Sequence, residues 1–201
     1  MWVRIRLHNS IKVKGRNAMK NSKGNMVALF DLDGTLVETD AVNSAAYRRV
    51  LVREGIKNVD RLAGRISMRS ILTSLGGISK ADARALSRAK SEEYGRLLWN
   101  SDLGPAAEAL RMVLASREQF SKVVLLTDGQ EQRALETLRY HGLDQCFDEI
   151  VCNAGDGDKY LNYFRSHDAN PAVTIVWEND NKEIQSAITA GVKADNIKKV
   201  G

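Results

Sequence analysis

The sequence predicts an α/β fold: a Rossmann-like, doubly wound parallel sheet with an inserted α-helical cap subdomain. From residue 26 onward, short apolar segments alternate with amphipathic helical segments, which is typical of a parallel sheet covered by helices. One connection, over residues 32–121, is far longer than the roughly dozen residues that a crossover between parallel strands needs. The alternation predicts the sheet, and the long connection predicts the insertion.

Five segments have the composition of strands. Continuous apolar runs are expected where a parallel strand is buried on both faces, and the first, second and fourth segments have them. In chain order the segments are 26–31 (MVALFD), 122–127 (KVVLLT), 147–152 (FDEIVC), 172–177 (AVTIVW) and the weaker 196–200 (NIKKV). We therefore expect a parallel sheet of five strands.

The later connections each contain one predicted helix. A single helical segment follows the second, third and fourth strands, at 129–142, 158–168 and 181–191. Gly142 and Gly191 stand where the first and last of these helices should end, as glycine commonly does. These connections are therefore ordinary helical crossovers.

The long connection contains the predicted cap. Its helical segments are 40–55, 64–77 and 79–100, followed by 104–116 as the crossover helix into the second strand. The chain is thus predicted to have three parts: a basic leader at 1–25, a core at 26–37 and 104–201, and a helical cap insert at 38–103.

The positive charge of the protein is concentrated in the leader. Residues 1–25 have seven Lys and Arg and no Asp or Glu, so the net charge of +5 becomes −2 for the rest of the chain. A mildly acidic folded part argues against nucleic acid as a partner. For the leader we favour a disordered tail or a misplaced start over an organelle-type presequence, and alternating apolar residues near its beginning also allow a short edge strand.

Composition excludes further classes of protein. No apolar run approaches the roughly 18 residues that a membrane span requires. The spacing of Cys146 and Cys152 matches no zinc-binding pattern, so we interpret both as free thiols. Since no secretory signal is recognisable, the cytoplasm is the expected location.

Polar residues coincide with the carboxyl ends of the predicted strands, where doubly wound sheets bind their ligands. Asp31 and Asp33 follow the first strand and share a face, because they are two residues apart in an extended segment. Thr127 ends the second strand and is followed by Asp128 and a helix N-terminus, which together can cradle a phosphate. Lys159 begins the helix after the third strand.

Acidic residues follow the fourth strand in the segment WENDNKE, which contains Glu178, Asp180 and Glu183. Together with the preceding residues, this segment brings carboxylates, a hydroxyl and an ammonium to one edge of the sheet. The pattern indicates a site for a phosphorylated ligand.

These motifs, in this order, resemble those of the haloacid dehalogenase-like (HAD) hydrolase superfamily. DLDGT matches the first motif of that family, LLTDG the second, Lys159 the third and VTIVWENDNKEI, loosely, the fourth. The insert has the position of the family's C1-type helical cap. The segment 38–53 is similar to phosphoglycolate phosphatase-like and phosphoglucomutase-like members.

The resemblance implies a mechanism. Asp31 would be the nucleophile that forms an aspartyl-phosphate, and Asp33 the general acid and base. Thr127, Asp128 and Lys159 would bind the phosphoryl group.

The resemblance also implies a Mg²⁺ ion. Its ligands would be Asp31, the main-chain carbonyl of Asp33 and a carboxylate after the fourth strand. We favour Glu178 for that carboxylate, with Asp180 as the alternative. The fourth motif departs from the family pattern because Trp177 stands where glycine is common.

The expected function is that of a Mg²⁺-dependent hydrolase of a small soluble phosphomonoester. A phosphomutase of the same superfamily and a catalytically degraded binding protein are the alternatives. Arg65, Ser67 and Arg69 are candidate substrate contacts in the cap. The natural substrate and the oligomeric state are left open by the sequence.

Overall fold

The computed structural model describes residues 3–5, 24–101, 108–153 and 157–200. Its strands form one six-stranded sheet in the order β1-β4-β3-β2-β5-β6. The strands are β1 Val3–Ile5, β2 Met26–Phe30, β3 Phe120–Thr127, β4 Glu149–Cys152, β5 Thr174–Glu178 and β6 Ile197–Lys199. Strands β2 to β6 pair in parallel, which confirms the predicted α/β sheet of five parallel strands.

The helices lie within the segments predicted for them. They are α1 Asp40–Arg53, α2 Met68–Leu75, α3 Lys80–Leu98, α4 Glu108–Ala115, α5 Glu131–Tyr140, α6 Lys159–Ser166 and α7 Asn181–Thr189. Gly142 and Gly191 have positive φ angles just after α5 and α7, as their predicted role at helix ends requires. Residues 104–107 of the fourth predicted helix lie outside the described chain.

None of the helices described above is both long enough and apolar enough to cross a lipid bilayer.

The first strand belongs to the basic leader. It lies at the edge of the sheet and pairs antiparallel with β4, with Val3 opposite Cys152 and Ile5 opposite Ile150. Residues 3–5 thus form a short edge strand, one of the structures that the alternating residues of the leader allowed. Residues 6–23 of the leader lie outside the described chain.

Alternate residues of the central strands contribute to two hydrophobic layers. On β3, Val123 and Leu125 pack on one face of the sheet, and Val124 and Leu126 pack on the other. Side chains of α4 and α5 complete the first layer, and those of α6 and α7 complete the second. The central strands are therefore buried on both faces, which explains their continuous apolar sequences.

The helices of the long connection have a hydrophobic cluster of their own. It consists of Tyr47, Val50, Leu51, Val59, Leu62, Ile66, Ile71 and Leu86. Parts of two of these helices pack elsewhere. The hydrophobic layer on one face of the sheet includes Val42 and Ala46 of α1 and Tyr94 and Leu98 of α3. The inserted helices are therefore also packed directly against the core.

An aromatic pair connects the ends of two neighbouring strands. The rings of Phe30 on β2 and Trp177 on β5 stack, with centroids 4.3 Å apart and planes inclined by 7°. The two residues are also opposite each other in the strand register. Because Asp31 and Glu178 follow them directly, this stack helps to fix the separation of those two side chains.

Candidate active site

A cavity of about 150 Å³ lies at the carboxyl ends of β2, β3 and β5. It is lined by the seven residues to which the sequence assigned a role in catalysis, phosphate binding or metal binding: Asp31, Asp33, Thr127, Asp128, Lys159, Glu178 and Asp180. Arg65, Asn179 and Glu183 complete the lining. Residues far apart in sequence thus meet where the parallel topology predicts a ligand site.

A tight turn after β2 positions the two aspartates. The backbone N–H groups of Leu36 and Val37 both donate to the carbonyl of Leu32 at 3.0 Å. Gly34 has a φ of 77°, a conformation that glycine adopts without strain. A Cβ atom at this position would lie 2.3 Å from the Nδ2 atom of Asn179. The turn therefore requires glycine both for its backbone conformation and for the approach of the loop after β5.

Asp31 and Lys159 form a buried ion pair. The distance from Lys159 Nζ to Asp31 Oδ1 is 2.7 Å, and the two residues are 2% and 7% exposed, respectively. Burial raises the pKa of Asp31 to about 7, although Lys159 opposes this rise. Burial alone would lower the pKa of Lys159, but the charge of Asp31 raises it well above its ordinary value. No hydrogen bond to Asp31 Oδ2 occurs within the described chain, so this oxygen is free for a ligand.

Glu178 is enclosed by hydrogen-bond donors. Its Oε1 accepts from the backbone N–H groups of Asn179 and Asp180, at 3.0 and 3.2 Å. Its Oε2 lies 2.8 Å from the hydroxyl of Tyr160 and 2.8 Å from Nζ of Lys159. Tyr160, on α6, thus bonds a site residue although the sequence gives it no such role.

Asp33 is held by an arginine that sequence reasoning missed. Both terminal nitrogens of Arg133 donate to the carboxylate of Asp33, each at 2.5 Å. Burial acts to raise the pKa of Asp33, but the charge and hydrogen bonds of Arg133 hold that pKa well below its usual range. Arg133 lies on the amphipathic helix α5, and an arginine in such a helix is usually a surface residue. The sequence therefore contains no signal for the contact between Arg133 and Asp33.

The inserted helices contribute a second chain of contacts to Asp33. Thr39 donates to Asp33 Oδ1 at 2.5 Å, Asn43 donates to Thr39 at 3.0 Å, and Nζ of Lys90 donates to Oδ1 of Asn43. Lys90 is buried, and this burial, with the charge of Arg133, lowers its pKa to about 7. None of these three residues was predicted, because only the packing of α1 and α3 brings them to Asp33.

The phosphate-binding candidates are fixed by local hydrogen bonds. Thr127 is buried, and its Oγ1 accepts from the backbone N–H of Gly129 at 3.0 Å, which leaves its hydroxyl proton available. Asp128 accepts from the side chain of Asn153 at 2.7 Å. These bonds hold both residues at the start of the loop into α5, beside Asp31.

Two acidic residues lie on the side of the cavity after β5. Asp180 caps α7 by accepting from the backbone N–H of Lys182 at 2.7 Å. Burial raises the pKa of Glu183. Both line the cavity, so the N-terminal end of α7 and the residue that caps it provide two carboxylates there.

The three cap candidates have different positions. Arg65 lines the cavity and pairs with Asp40 at 3.1 Å. Ser67 caps α2 and lines a neighbouring cavity. Arg69 is exposed and lines neither.

The donor set of the cavity fits a hard divalent cation. Six carboxylates line it against the two cations Lys159 and Arg65, and the available ligands are oxygens. In residues 24–101, 108–153 and 157–200, no three His, Cys, Asp or Glu side chains are grouped closely enough to hold a metal. An ion would therefore also need carbonyl, water or substrate oxygens as ligands, and Mg²⁺ in proteins is usually bound by such a mixed set.

Two characterised relatives match most of this chain. The phosphorylated carbohydrates phosphatase of Thermotoga maritima is 25% identical in an alignment 178 residues long, which covers 82% of this chain and 81% of the relative. The fructose-1-phosphate phosphatase of Escherichia coli is 27% identical in an alignment 184 residues long, which covers 85% of this chain and 95% of that relative.

Solved structures show the same fold. CbbY of Rhodobacter sphaeroides, crystallised with phosphate, has a TM-score of 0.66 and 20% identity over 83% of each chain. A β-phosphoglucomutase of Clostridium difficile has a TM-score of 0.64 and 21% identity, over 87% of this chain and 84% of that one.

The family model for haloacid dehalogenase-like hydrolases matches residues 28–196. This match includes the aspartate turn after β2, Lys159 and the acidic loop after β5. The chain therefore belongs to the haloacid dehalogenase-like hydrolase family.

Proposed function

We propose that this protein is a Mg²⁺-dependent phosphatase that hydrolyses a small phosphorylated metabolite through an aspartyl-phosphate. The observation that carries the proposal is the arrangement of Asp31, whose Oδ1 is held by Lys159 at 2.7 Å, while no residue of the described chain donates to its Oδ2. A carboxylate fixed through one oxygen is a preorganised nucleophile. The adjacent ammonium offsets the charge of a phosphoryl group as transfer proceeds.

The proposed reaction has two steps. In the first, Oδ2 of Asp31 attacks phosphorus, the bond from phosphorus to the leaving oxygen breaks, and Asp33 gives that oxygen a proton. In the second, water attacks the phosphorus of the aspartyl-phosphate, Asp33 takes a proton from the water, and the bond from phosphorus to Oδ2 of Asp31 breaks, which releases phosphate and restores the Asp31 carboxylate. Thr127 and Lys159 bind the phosphoryl oxygens in both steps.

Asp33 has to change its protonation state during this cycle. The double hydrogen bond from Arg133 keeps it ionised, which suits its role as the base in the second step. The first step requires a protonated Asp33. Arg133 must therefore leave at least one Asp33 oxygen when substrate binds.

Mg²⁺ would be held by Asp31, the main-chain carbonyl of Asp33 and a carboxylate after β5, either Glu178 or Asp180. When bound, the ion supplies positive charge that lets the anionic substrate approach an anionic nucleophile.

The proposed substrate is a sugar phosphate. A second cavity, of about 140 Å³, adjoins the first and shares Asp33 and Arg65 with it. Its lining includes the polar side chains of Asn43, Ser67 and Lys90, which suit the hydroxyl groups of a sugar. The two relatives described above are, by name, phosphatases of phosphorylated carbohydrates.

The test is phosphate release from a panel of sugar phosphates, with Mg²⁺ and with EDTA. We expect release by the wild type that requires Mg²⁺ and that falls by more than about a thousandfold in Asp31→Asn. Asp195→Asn is the matched control, since this exposed aspartate lies outside the cavity, and it should retain full activity.

The same panel distinguishes the alternatives. Interconversion of sugar phosphate isomers without release of phosphate would indicate a phosphomutase. A folded protein that binds sugar phosphates without turning any over would indicate a binding protein, and the phosphatase proposal would then be wrong.

A further inference from the structure

We propose that Lys90 is a site of covalent modification, at which carbon dioxide adds to the side-chain amine and forms a carbamate. Lys90 lines the second cavity described above, the one of about 140 Å³ beside the active site. The inference goes beyond the proposed function, because the modification requires neither a phosphorylated substrate nor a metal ion.

Lys90 is a buried amine without an anionic partner. It is 7% exposed, and within the described residues its Nζ donates to Oδ1 of Asn43 and forms no ion pair. The rings of Tyr47 and Tyr94 face the amine, each with its centroid 5.2 Å from Nζ. Aromatic faces attract a cation only weakly, so the cost of burying a charged ammonium here is largely uncompensated.

The charged groups around the cavity favour the neutral amine. Arg133 of α5 and Arg65, which precedes α2, line the same cavity and repel a further positive charge. Asp33, which follows β2, attracts one, but both of its oxygens already accept from Arg133. Burial, with the two guanidinium groups, lowers the pKa of Lys90 to about 7. At pH 8 about nine-tenths of the Lys90 side chains are then unprotonated, against about 0.3% for an ordinary lysine.

The modification is an addition reaction. The nitrogen lone pair attacks the carbon of CO₂, one carbon–oxygen double bond becomes a single bond to a negatively charged oxygen, and the nitrogen releases one proton to water. The product is an N-linked carboxylate, –NH–COO⁻, and nothing is oxidised or reduced. Only an unprotonated amine has the lone pair, so Lys90 reacts far more readily than a surface lysine does.

The cavity fits the carbamate. The carbamate nitrogen keeps one hydrogen, so the hydrogen bond to Asn43 is retained. A carboxylate is a favourable partner for guanidinium donors, and Arg65 and Arg133 both line the cavity. Among the side chains that line it, two arginines then face two anions, Asp33 and the carbamate, in place of an excess of positive charge. CO₂ adds three heavy atoms, for which a cavity of about 140 Å³ has room.

The test is ¹³C nuclear magnetic resonance of the full-length protein at pH 8, equilibrated in a sealed tube with ¹³C-labelled bicarbonate as the source of carbon dioxide. We expect a carbamate resonance that the wild type has and Lys90→Met lacks. Lys193→Met, which removes an exposed lysine, is the matched control and should retain this resonance. The α-amino group has a pKa of about 8 and also forms a carbamate, so only the resonance lost in Lys90→Met is assigned to Lys90.

A pair of arginine variants tests how the carbamate is stabilised. Arg65→Met should reduce the Lys90 resonance by at least about threefold, because loss of the guanidinium favours the protonated lysine and removes a partner of the carbamate. Arg69→Met, at an exposed position that lines neither cavity, should leave the resonance unchanged. Equal resonances in the two variants would contradict the stabilising role of Arg65.

Chemical trapping gives a second readout that needs no variant. Trimethyloxonium converts a carbamate to its stable methyl ester, and peptide mass spectrometry should find that ester on Lys90 of the wild-type protein. Absence of the ester from Lys90, or a ¹³C spectrum that Lys90→Met does not change, would overturn the proposal. Both measurements are made without substrate, so a lack of phosphatase activity would refute the proposed function and leave this inference intact.

Discussion

Asp31, Lys159 and Glu178 are each less than one-tenth exposed, and each has an ionisable side chain. Buried charges are tolerated where partners satisfy them, and removing one partner leaves another charge uncompensated. The Lys159 ammonium satisfies two carboxylates at once. Single substitutions here should therefore affect stability as well as catalysis.

Arg133 provides the clearest case at the scale of one residue. Arg133→Met should lower the free energy of unfolding by about 3–5 kcal/mol, because it leaves Asp33 without its charged partner. Urea denaturation measures this loss. Arg139→Met, at an exposed position of the same helix, is the control and should change stability by less than about 0.5 kcal/mol. Equal effects of the two substitutions would contradict the importance of the Asp33–Arg133 pair.

Lys90 should make stability depend on pH. Burial lowers its pKa to about 7 from the ordinary value of 10.5, so between these values the unfolded chain binds more protons than the folded protein. Stability from this group therefore rises with pH across that window, by up to about 1.4 kcal/mol per pH unit.

Urea denaturation between pH 7 and 9 tests this dependence. Wild-type protein should gain stability relative to Lys90→Met as pH rises, whereas Lys193→Met, at an exposed position, should follow the wild type. Parallel curves for the wild type and Lys90→Met would show that Lys90 titrates normally.

The site residues differ in how far sequence could predict them. Asp31, Thr127 and Lys159 were predicted because each stands at the end of a strand or the start of a helix, positions that topology alone brings together. Arg133 and Lys90 lie within helices, and their contacts depend on how those helices are rotated and packed. Local sequence does not contain that information.

At the scale of elements, the turn after β2 connects backbone geometry to the site. Gly34 and Gly55 have similar positive φ angles, 77° and 69°, but only Gly34 has a neighbour, Asn179, that an added Cβ would contact. Alanine at either position should cost about 1–2 kcal/mol from backbone strain.

Gly34→Ala should cost more than Gly55→Ala, because Asn179 must also move. Urea denaturation gives the difference in the free energy of unfolding between the two variants. Phosphate release shows whether the displacement of Asn179 also affects the active site. We expect reduced activity only in Gly34→Ala. If Gly34→Ala and Gly55→Ala lose the same stability and the same activity, the contact between residue 34 and Asn179 has no effect on the site.

The positions of the strands and helices could be predicted from the sequence more accurately than the contacts within the site. Strands β2, β3 and β5 have continuous apolar sequences because both of their faces are buried, and each was predicted within two residues at either end. The leader was different: pairing of residues 3–5 with β4 depends on a partner about 145 residues away, which no local pattern identifies.

At the scale of the whole molecule, β1 covers an edge of the sheet that is separate from the cavity. Deleting residues 1–23 should leave phosphate release per folded molecule unchanged, lower the free energy of unfolding by about 1–2 kcal/mol, and expose the edge of β4. Activity assays, urea denaturation and size-exclusion chromatography measure these three effects. A folded but inactive truncated protein would show that the leader is part of the active unit.

The stacking of Phe30 and Trp177 has an optical consequence. Trp177 is nearly buried, whereas Trp99, the other tryptophan in the described residues, is 61% exposed. The indole of Trp177 lies one residue from Glu178 and against the ring that precedes Asp31. We therefore expect Trp177 to emit at shorter wavelength than Trp99, and its emission to respond to ligand binding beside Asp31.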